Sequence, residues 1–545
     1  MAENGWSQPE PVGDTAVSMR VEGDSAAANI DWVRGIAQAI LAAAPVGMVE
    51  VVASPGRVTV AYDPLAIDGV AGFQAAIGAA AASASPTHAG AGQTHVIHVA
   101  YDGPDLDEVC AGHGIERAAL VAAHTEPDYI VEALGFLPGF GYLAGLPESL
   151  ATPRRPTPRR RIPAGAVGIG GGQTGIYPFA SPGGWNLIGR TDATLFDPIR
   201  PRPALFAVGE RVRFVPADLP PRAAAEEPSQ GSTVDHAAIT VLDPGLFTTV
   251  QDLGRPGHRA AGVPLSGAAD SVSLRLANLL VGNPEDAAGI ECTLLGPALR
   301  FERETVIALI GATFPGLASG TATRVPAGTV ITLGHATLGC RGFLAVAGGI
   351  DVEPVIGSRS TLVAAGLGGL AGRPFRKGDS LAVGEPATPT SSQQLSPGLT
   401  PRHLQHDGPR VLRIIPSEHA KHGETFGSDP WSRVYRTSSR SDRMGVRLDG
   451  DPLPSPADAA GMPSVAVFPG TVQVPPDGQP IVLLADAQTI GGYPVLGQVI
   501  VADLPIAAQL RPGDDICWKV VSLAEAHAAL RERETTIATM RDSLR

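Results

Sequence analysis

The sequence predicts a mainly β protein of the α+β class, with a small α/β unit at the N-terminus and successive β units of barrel or sandwich type behind it. Three observations carry this expectation. Short runs rich in Val, Ile and Thr recur between turns, in a chain of 545 residues with 66 Gly and 50 Pro, the pattern of closed β architectures. That length exceeds what a single hydrophobic core supports, so several domains are expected. Finally, the chain nearly repeats itself: residues 163–178 (P-A-G-A-V-G-I-G-G-G-Q-T-G-I-Y-P) and 469–494 (P-G-T-V-Q-V-P-P-D-G-Q-P-I-V-L-L-A-D-A-Q-T-I-G-G-Y-P) each run from a Pro/Gly turn through a β run to Gln-Thr, glycine and Tyr-Pro. A glycine turn and a β run follow each copy, at 208–214 and 511–520.

The elements follow in order. Residues 15–21 read as a strand, 27–44 as a helix, 49–53 and 57–62 as strands and 67–83 as a second helix. The order β-α-β-β-α suits an open antiparallel sheet with helices on one face; this unit is set at 1–92, its end marked by the Ala/Ser/Pro/Gly-rich stretch 80–93. A second unit, 93–218, holds a strand at 95–101, helices near 105–124, a strand at 129–136 and many short β runs. Residues 219–236 form a linker. The third unit, 237–390, is β-rich with one helix at 270–282, capped by Asp270 and closed by Gly282-Asn283-Pro284. A Pro/Thr/Ser/Gln-rich linker, 391–409, precedes a last β unit, 410–545. Its end, 522–544, is an amphipathic helix with Leu523, Ala526, Leu530, Ile537 and Met540 at helical spacing.

Composition narrows the function classes. A net charge of -13 argues against general nucleic-acid binding, which draws on Lys and Arg. No apolar window of spanning length is present, so no membrane insertion is expected. The N-terminus lacks a secretory pattern, and a cytoplasmic location is the default. The four cysteines lie far apart, outside any CxxC or Cys/His spacing, which suits reduced thiols and no metal site.

Several constellations could carry chemistry. Residues 135–161 join an aromatic, glycine-rich segment to five arginines, among them Arg154 and Arg155, whose guanidinium forks suit phosphate or carboxylate; a solvated basic loop is the bland alternative. The glycine run 167–175 could bring backbone N–H groups to an anion, or merely relieve crowding at a strand bend. It lacks the Gly-Lys-Ser/Thr of a Walker A loop and the helix a dinucleotide fingerprint needs. Gln173, Thr174 and Tyr177, with Gln488, Thr489 and Tyr493, could position an amide or carboxylate through neutral hydrogen bonds, or satisfy one another inside barrels. Asp442, Arg443 and Asp486 add charge for catalysis or for ion pairs. His124 could serve as a general acid or base, although a lone histidine is more often simply structural. Asp243, Gln251, Asp252 and Arg255 form a dense polar run, a site or a rigid corner.

Taken together, these runs resemble a known pair of families. G-F-L-P-G-F-G-Y-L-A-G-L-P, P-R-R-P-T-P-R, the first repeat copy and S-P-G-G-W-N-L-I-G-R-T (181–191) resemble allophanate hydrolase subunit 1, the B-type 5-oxoprolinase or KipI family. V-Q-D-L-G-R-P-G, L-R-L-A-N-L-L-V-G-N-P, G-G-I-D-V-E-P-V-I-G-S-R-S-T, S-D-R-M-G and the second copy resemble subunit 2, the C-type 5-oxoprolinase or KipA family. The likeness covers nearly the whole chain, as a fusion of the two.

The resemblance implies tandem cyclophilin-like β-barrels and a part in the ATP-dependent opening of 5-oxo-L-proline to L-glutamate, with a separate A-type 5-oxoprolinase protein as partner. It implies ATP with magnesium as cofactor, a small-molecule amide as substrate and, as an open option, a homo-oligomer. Site residues carried over with the surviving motifs are His124, Asp442, Arg443, Asp486 and Gln488 for catalysis, and Arg154, Arg155, Gln173, Thr174, Tyr177, Arg190, Gln251, Arg255, Thr489 and Tyr493 for substrate or nucleotide. The same modules also occur fused as the biotin-dependent carboxyltransferase of urea carboxylase; none of the six methionines here lies in a Met-Lys-Met biotin-attachment context, so no biotin is covalently attached to this chain. A KipI/KipA-like regulator of a histidine kinase is a third reading. Two departures stand out: L-S-G-A-A-D (265–270) replaces the usual Ser-Gly-Pro-Met-Asp, and S-V-A-V-F-P-G (464–470) lacks the acidic Glu-Gly element.

Overall fold

The computed structural model describes residues 5–23, 25–87, 92–220, 237–386, 408–421, 426–427, 429–454, 462 and 464–544. Apart from 219, 220, 408 and 409, the expected linkers at 219–236 and 391–409 lie outside the described residues.

The N-terminal unit is a four-stranded antiparallel sheet in the order Glu10–Val12, Ala16–Arg20, Arg57–Tyr62, Met48–Ser54, with helices Ala26–Ala43 and Val70–Ala82 packed on it. Val33, Ile36 and Ile40 of the first helix meet Val17, Met19 and Val58 of the sheet in one apolar cluster, as the helical spacing predicts. Ser25 caps that helix, its hydroxyl accepting from Ala28 N at 3.1 Å. The short strand Glu10–Val12 has no hydrophobic alternation to announce it, and its central proline fits the sheet edge that it occupies.

The sequence repeat is a repeat of topology. In the last unit seven strands close a barrel in the order Arg410–Pro416, Val495–Val499, Thr471–Gln473, Ile481–Leu483, Gly445–Asp449, Val434–Thr437, Asp515–Val520. The second unit places seven strands in a matching order: Thr94–Val99 stands beside Arg211–Pro216, then Tyr129–Leu134, Gly141–Ala144, Gln173–Ile176, Ala166–Gly170 and Asn186–Arg190. In both, the final strand runs parallel to the first, Arg211 opposite Thr94 and Ile516 opposite Arg410. Closure of the second unit comes from one bridge, Ala100 and Arg190 exchanging two backbone hydrogen bonds of 2.9 Å.

The third unit differs, with two five-stranded sheets and the helix Ser271–Leu280. Asp270 caps this helix through Ser273 N at 2.9 Å. The C-terminal helix Leu523–Ser543 starts in a reciprocal cap between Ser522 and Glu525 and lays Ile537 and Met540 against Val272, Leu276 and Leu280 of that helix. Arg275 is clamped between Glu285 and Glu534, at 2.7 and 2.8 Å, tying the last unit to the third.

Candidate functional site at the seam between units

The segment 254–269 is where the units converge. Gly139 N donates to Ala261 O at 2.9 Å, and Gly262, at φ +76, lies so close to the Phe136 turn that a Cβ would stand 2.6 Å from Leu137 O. On the other flank Ser266 N donates to Ala485 O at 2.8 Å. Arg259 pairs with Glu50 of the N-terminal unit at 2.9 Å, both side chains buried, and its guanidinium covers the Phe468 ring at 4.9 Å. Phe136, which packs against this segment, and Ser266 within it hold left-handed backbone (φ 65 and 54), costly for residues with a side chain.

Beside it lies a buried charge cluster. Arg443 forks onto Asp486, Nε to Oδ2 at 2.8 Å and Nη2 to Oδ1 at 3.0 Å; its Nη1 donates to Glu291 and Nη2 also reaches Gly267 O at 2.6 Å. Burial alone would lower the Arg443 pKa, but the Asp486 and Glu291 carboxylates outweigh it and hold the guanidinium charged. Glu291 also accepts from Ala269 N at 3.0 Å, with Arg341 Nε at 3.8 Å. Gln509 bonds Cys340 N and Arg341 N, each at 3.0 Å, and Asp270 at 2.8 Å, bracing the arginine next door. Asp442, by contrast, is exposed and caps its own turn, accepting from Met444 N at 2.8 Å.

Arg255 and Gln251 are fully buried nearby, anchored to consecutive carbonyls: Arg255 Nη2 donates to Ser360 O, and Gln251 Nε2 to Thr361 O at 3.2 Å. Arg255 Nη1 and Gln251 Oε1 have no hydrogen-bond partner among the described residues. One free donor and one free acceptor in the interior are what a bound polar group would satisfy. Burial lowers the Arg255 pKa, opposed by Asp252 and Asp486. Asp252 is fully used within the chain, accepting from Gly254 N, Ser358 Oγ and Arg359 N at 2.6 to 2.8 Å.

The two Gln-Thr copies are placed differently. In the first, Gln173 opens a strand and donates to Glu132 Oε2 at 2.9 Å, while Thr174 is buried against His124 and Gly168 O. In the second, the matching strand ends at Leu483, so Gln488 and Thr489 fall in the turn beyond it. Gln488 is half-buried and donates to Gln473 at 3.2 Å; Tyr493 is exposed. Ile490 packs into the aromatic cluster of Phe140, Tyr142, Tyr177 and Trp185, bringing the second copy onto the barrel that carries the first.

Four of the expected site features are held as follows. His124 is a core residue: it stacks on Phe214 at 4.7 Å, bonds Tyr101 and Thr174 at 2.8 and 3.0 Å, and burial drives its pKa down to about 3, so it is a neutral ring. Part of the glycine run accommodates an indole, since a Cβ at Gly170 would stand 2.6 Å from Trp185 and one at Gly175 3.1 Å, while Gly171 and Gly172 face open space. Arg155 is spent on Asp105 and Glu108, at 3.1 and 2.9 Å. Arg190 holds Asp102 and the carbonyls of Leu219 and Pro220, fixing the chain where it leaves the barrel. Arg154 alone of these stays exposed, 6.0 Å over the Trp185 ring. Sequence reasoning missed Glu291, Arg341 and Gln509; a glutamate inside the apolar strand Gly289–Thr293 was the available signal.

Two β-barrel units with a two-sheet unit between them, meeting at a buried ionic seam, define a class. Residues 8–206 match the carboxyltransferase domain, subdomain C and D, and residues 261–520 match the carboxyltransferase domain, subdomain A and B. The chain belongs to the carboxyltransferase-domain family that includes the C-type 5-oxoprolinase proteins. It is 39% identical to the 5-oxoprolinase C component of Escherichia coli (strain K12) over 302 residues, 54% of this chain and 95% of that protein. It is 54% identical to the 5-oxoprolinase B component of Escherichia coli O157:H7 over 121 residues, 22% of this chain and 56% of that one. A crystal structure of TTHA0988 superposes with a TM-score of 0.77 at 35% identity, covering 92% of this chain and 99% of that chain. The urea amidolyase of Lachancea kluyveri is similar at 33% identity, over 56% of this chain but 18% of that protein.

Proposed function

We propose that the chain is a fused B and C component of an ATP-dependent 5-oxoprolinase, which with an A-type partner protein converts 5-oxo-L-proline, ATP and water to L-glutamate, ADP and phosphate. One observation carries this: separate stretches of one chain are similar to the B and to the C component of 5-oxoprolinase, at 54% and 39% identity. The seam supports it, because Gly139–Ala261, Glu50–Arg259 and Ile490 bind the two halves into one body.

The chemistry of the buried cluster suits a cyclic amide. Arg255 Nη1 is a donor and Gln251 Oε1 an acceptor without a partner among the described residues, the two kinds of group that a lactam's carbonyl and N–H would take. Arg443 spends its donors on Asp486, Glu291 and Gly267 O, so it positions the segment 254–269 against the last unit. Gln488 and Tyr493 stand on the accessible side of the same unit. Trp185 stands against Gly170 and Gly175 of the run 167–175 while Gly171 and Gly172 are open, and no step through ATP and magnesium is assigned to groups of this chain. The test is co-purification of the full chain with the A-type protein, followed by assay with 5-oxo-L-proline and magnesium-ATP. Glutamate and ADP are expected. Urea-dependent consumption of carboxybiotin, with no glutamate formed, would instead favour the carboxyltransferase reading, and stable capture of a histidine kinase without either activity the regulatory one.

A further inference from the structure

A cavity of about 240 Å³ lies between the N-terminal unit and the first barrel, where strand Met48–Ser54 packs against strand Tyr129–Leu134. It is lined by Asn29, Ile30 and Val33 of the first helix, by Ser54 and Pro55 at the turn that follows the strand, and by Glu132 of the barrel. We propose that this cavity binds a small primary ammonium compound with a short hydrocarbon body.

The argument starts from unmatched polar groups. Glu132 has a single hydrogen-bond partner among the described residues, the neutral Gln173 amide at 2.9 Å, and no cation pairs with it there. Burial pushes its carboxyl up and the Gln173 bond only partly opposes this, as expected for a charge that lacks a counter-ion. Ser54 is 1% exposed and its hydroxyl has no partner among the described residues. The Asn29 carbonyl is engaged by Gly23 N at 2.9 Å, which orients its amide.

These groups select a ligand by elimination. An anion is repelled by Glu132, which has no arginine or lysine paired with it among the described residues. A neutral alcohol could satisfy Ser54 but would leave the carboxylate uncompensated. No group of three His, Cys, Asp or Glu side chains suited to a metal ion exists among the described residues. An ammonium brings three N–H donors to the Glu132 carboxylate and Ser54 Oγ, while Ile30, Val33 and Pro55 take a few methylene groups. Binding here would bridge two units, and the inference does not depend on the activity proposed above.

The experiment is calorimetric titration of the full chain with n-butylammonium chloride, with n-butanol and sodium chloride as matched controls. Saturable binding of n-butylammonium alone is expected, weakened at least tenfold in Glu132→Gln and several-fold in Ser54→Ala. The proposal is overturned if the wild-type chain shows no saturable heat, if n-butanol binds equally, or if Glu132→Gln leaves affinity unchanged. Should Glu132→Gln fail to fold, unchanged affinity in Ser54→Ala overturns it in the same way.

Discussion

Arg443 and Asp486, 43 residues apart, meet in a two-pronged ion pair with both side chains buried, and Glu291 of another unit takes the remaining terminal nitrogen. Arg443 therefore fastens two units through Glu291, with Asp486 fixing its orientation at the seam. Removing one partner of a buried pair strands the other charge, at a cost of about 3–5 kcal/mol. Asp486→Ala is expected to lose stability on that scale in denaturant titration, and turnover by at least a hundredfold. Arg443→Lys, which cannot make the fork, is expected to lose turnover even where it folds.

Gln488 separates site from scaffold. Its amide is half-buried and makes one long hydrogen bond, so Gln488→Ala should change the melting temperature little while lowering turnover strongly. Arg155→Ala should behave in the opposite way, because Arg155 is committed to Asp105 and Glu108. With the arginine partly exposed and its ion pairs screened by solvent, a small loss of stability and near-normal turnover are expected. Parallel melting curves and rates for the two variants check both outcomes.

The glycine run gives a packing test. Gly170→Ala would push a methyl group against the Trp185 ring, and overpacking of this kind costs about 1–3 kcal/mol. Trp185→Leu should be destabilising alone yet soften the effect of Gly170→Ala. Non-additivity in the double-mutant cycle is the expected result.

Two buried groups act on stability in opposite pH windows. The His124 pKa falls from 6.5 to about 3 in the folded chain, so the unfolded chain takes up the proton first, and this contribution is lost as pH drops from about 6.5 toward 3. Asp14 is raised from 3.8 to about 6, mainly by burial, so its effect is fully favourable below about 3.8 and is lost as pH rises toward 6. Asp14 accepts from Val501 N at 2.9 Å through one oxygen, a bond that Asn preserves, while its other oxygen has no partner among the described residues. Asp14→Asn is therefore expected to raise the melting temperature at pH 7.5 and to do little at pH 4. The His124 ring should show no titration by NMR between pH 5 and 8.

Much of the fold was legible because it rests on local signals. Asp270 and the Leu/Val spacing behind it announced the helix Ser271–Leu280, and alternation announced strands such as Arg57–Tyr62. The repeated Pro/Gly turn, β run and Tyr-Pro announced two barrels with the same strand order. What could not be read was which polar residues meet. Arg443, Asp486 and Glu291 come from distant segments, and nothing adjacent to Glu291 in sequence names its partner. His124 misled because a histidine beside charged residues looks like a catalyst, whereas its partners, Tyr101, Thr174 and Phe214, are set by the barrel. The glycine run is ambiguous for a related reason: space for a backbone to approach an anion and space for Trp185, which Gly170 and Gly175 meet, leave the same residue in the sequence.

The central claim is that this one chain supplies both the B-like and the C-like parts of a 5-oxoprolinase. The most direct measurement is the yield of glutamate and ADP from 5-oxo-L-proline and magnesium-ATP, with the chain alone, the A-type partner alone, and the two together. The account predicts glutamate and ADP in equal amounts only from the pair, abolished by Asp486→Ala in this chain. Equal turnover by the partner alone, or no glutamate from the pair, would contradict it.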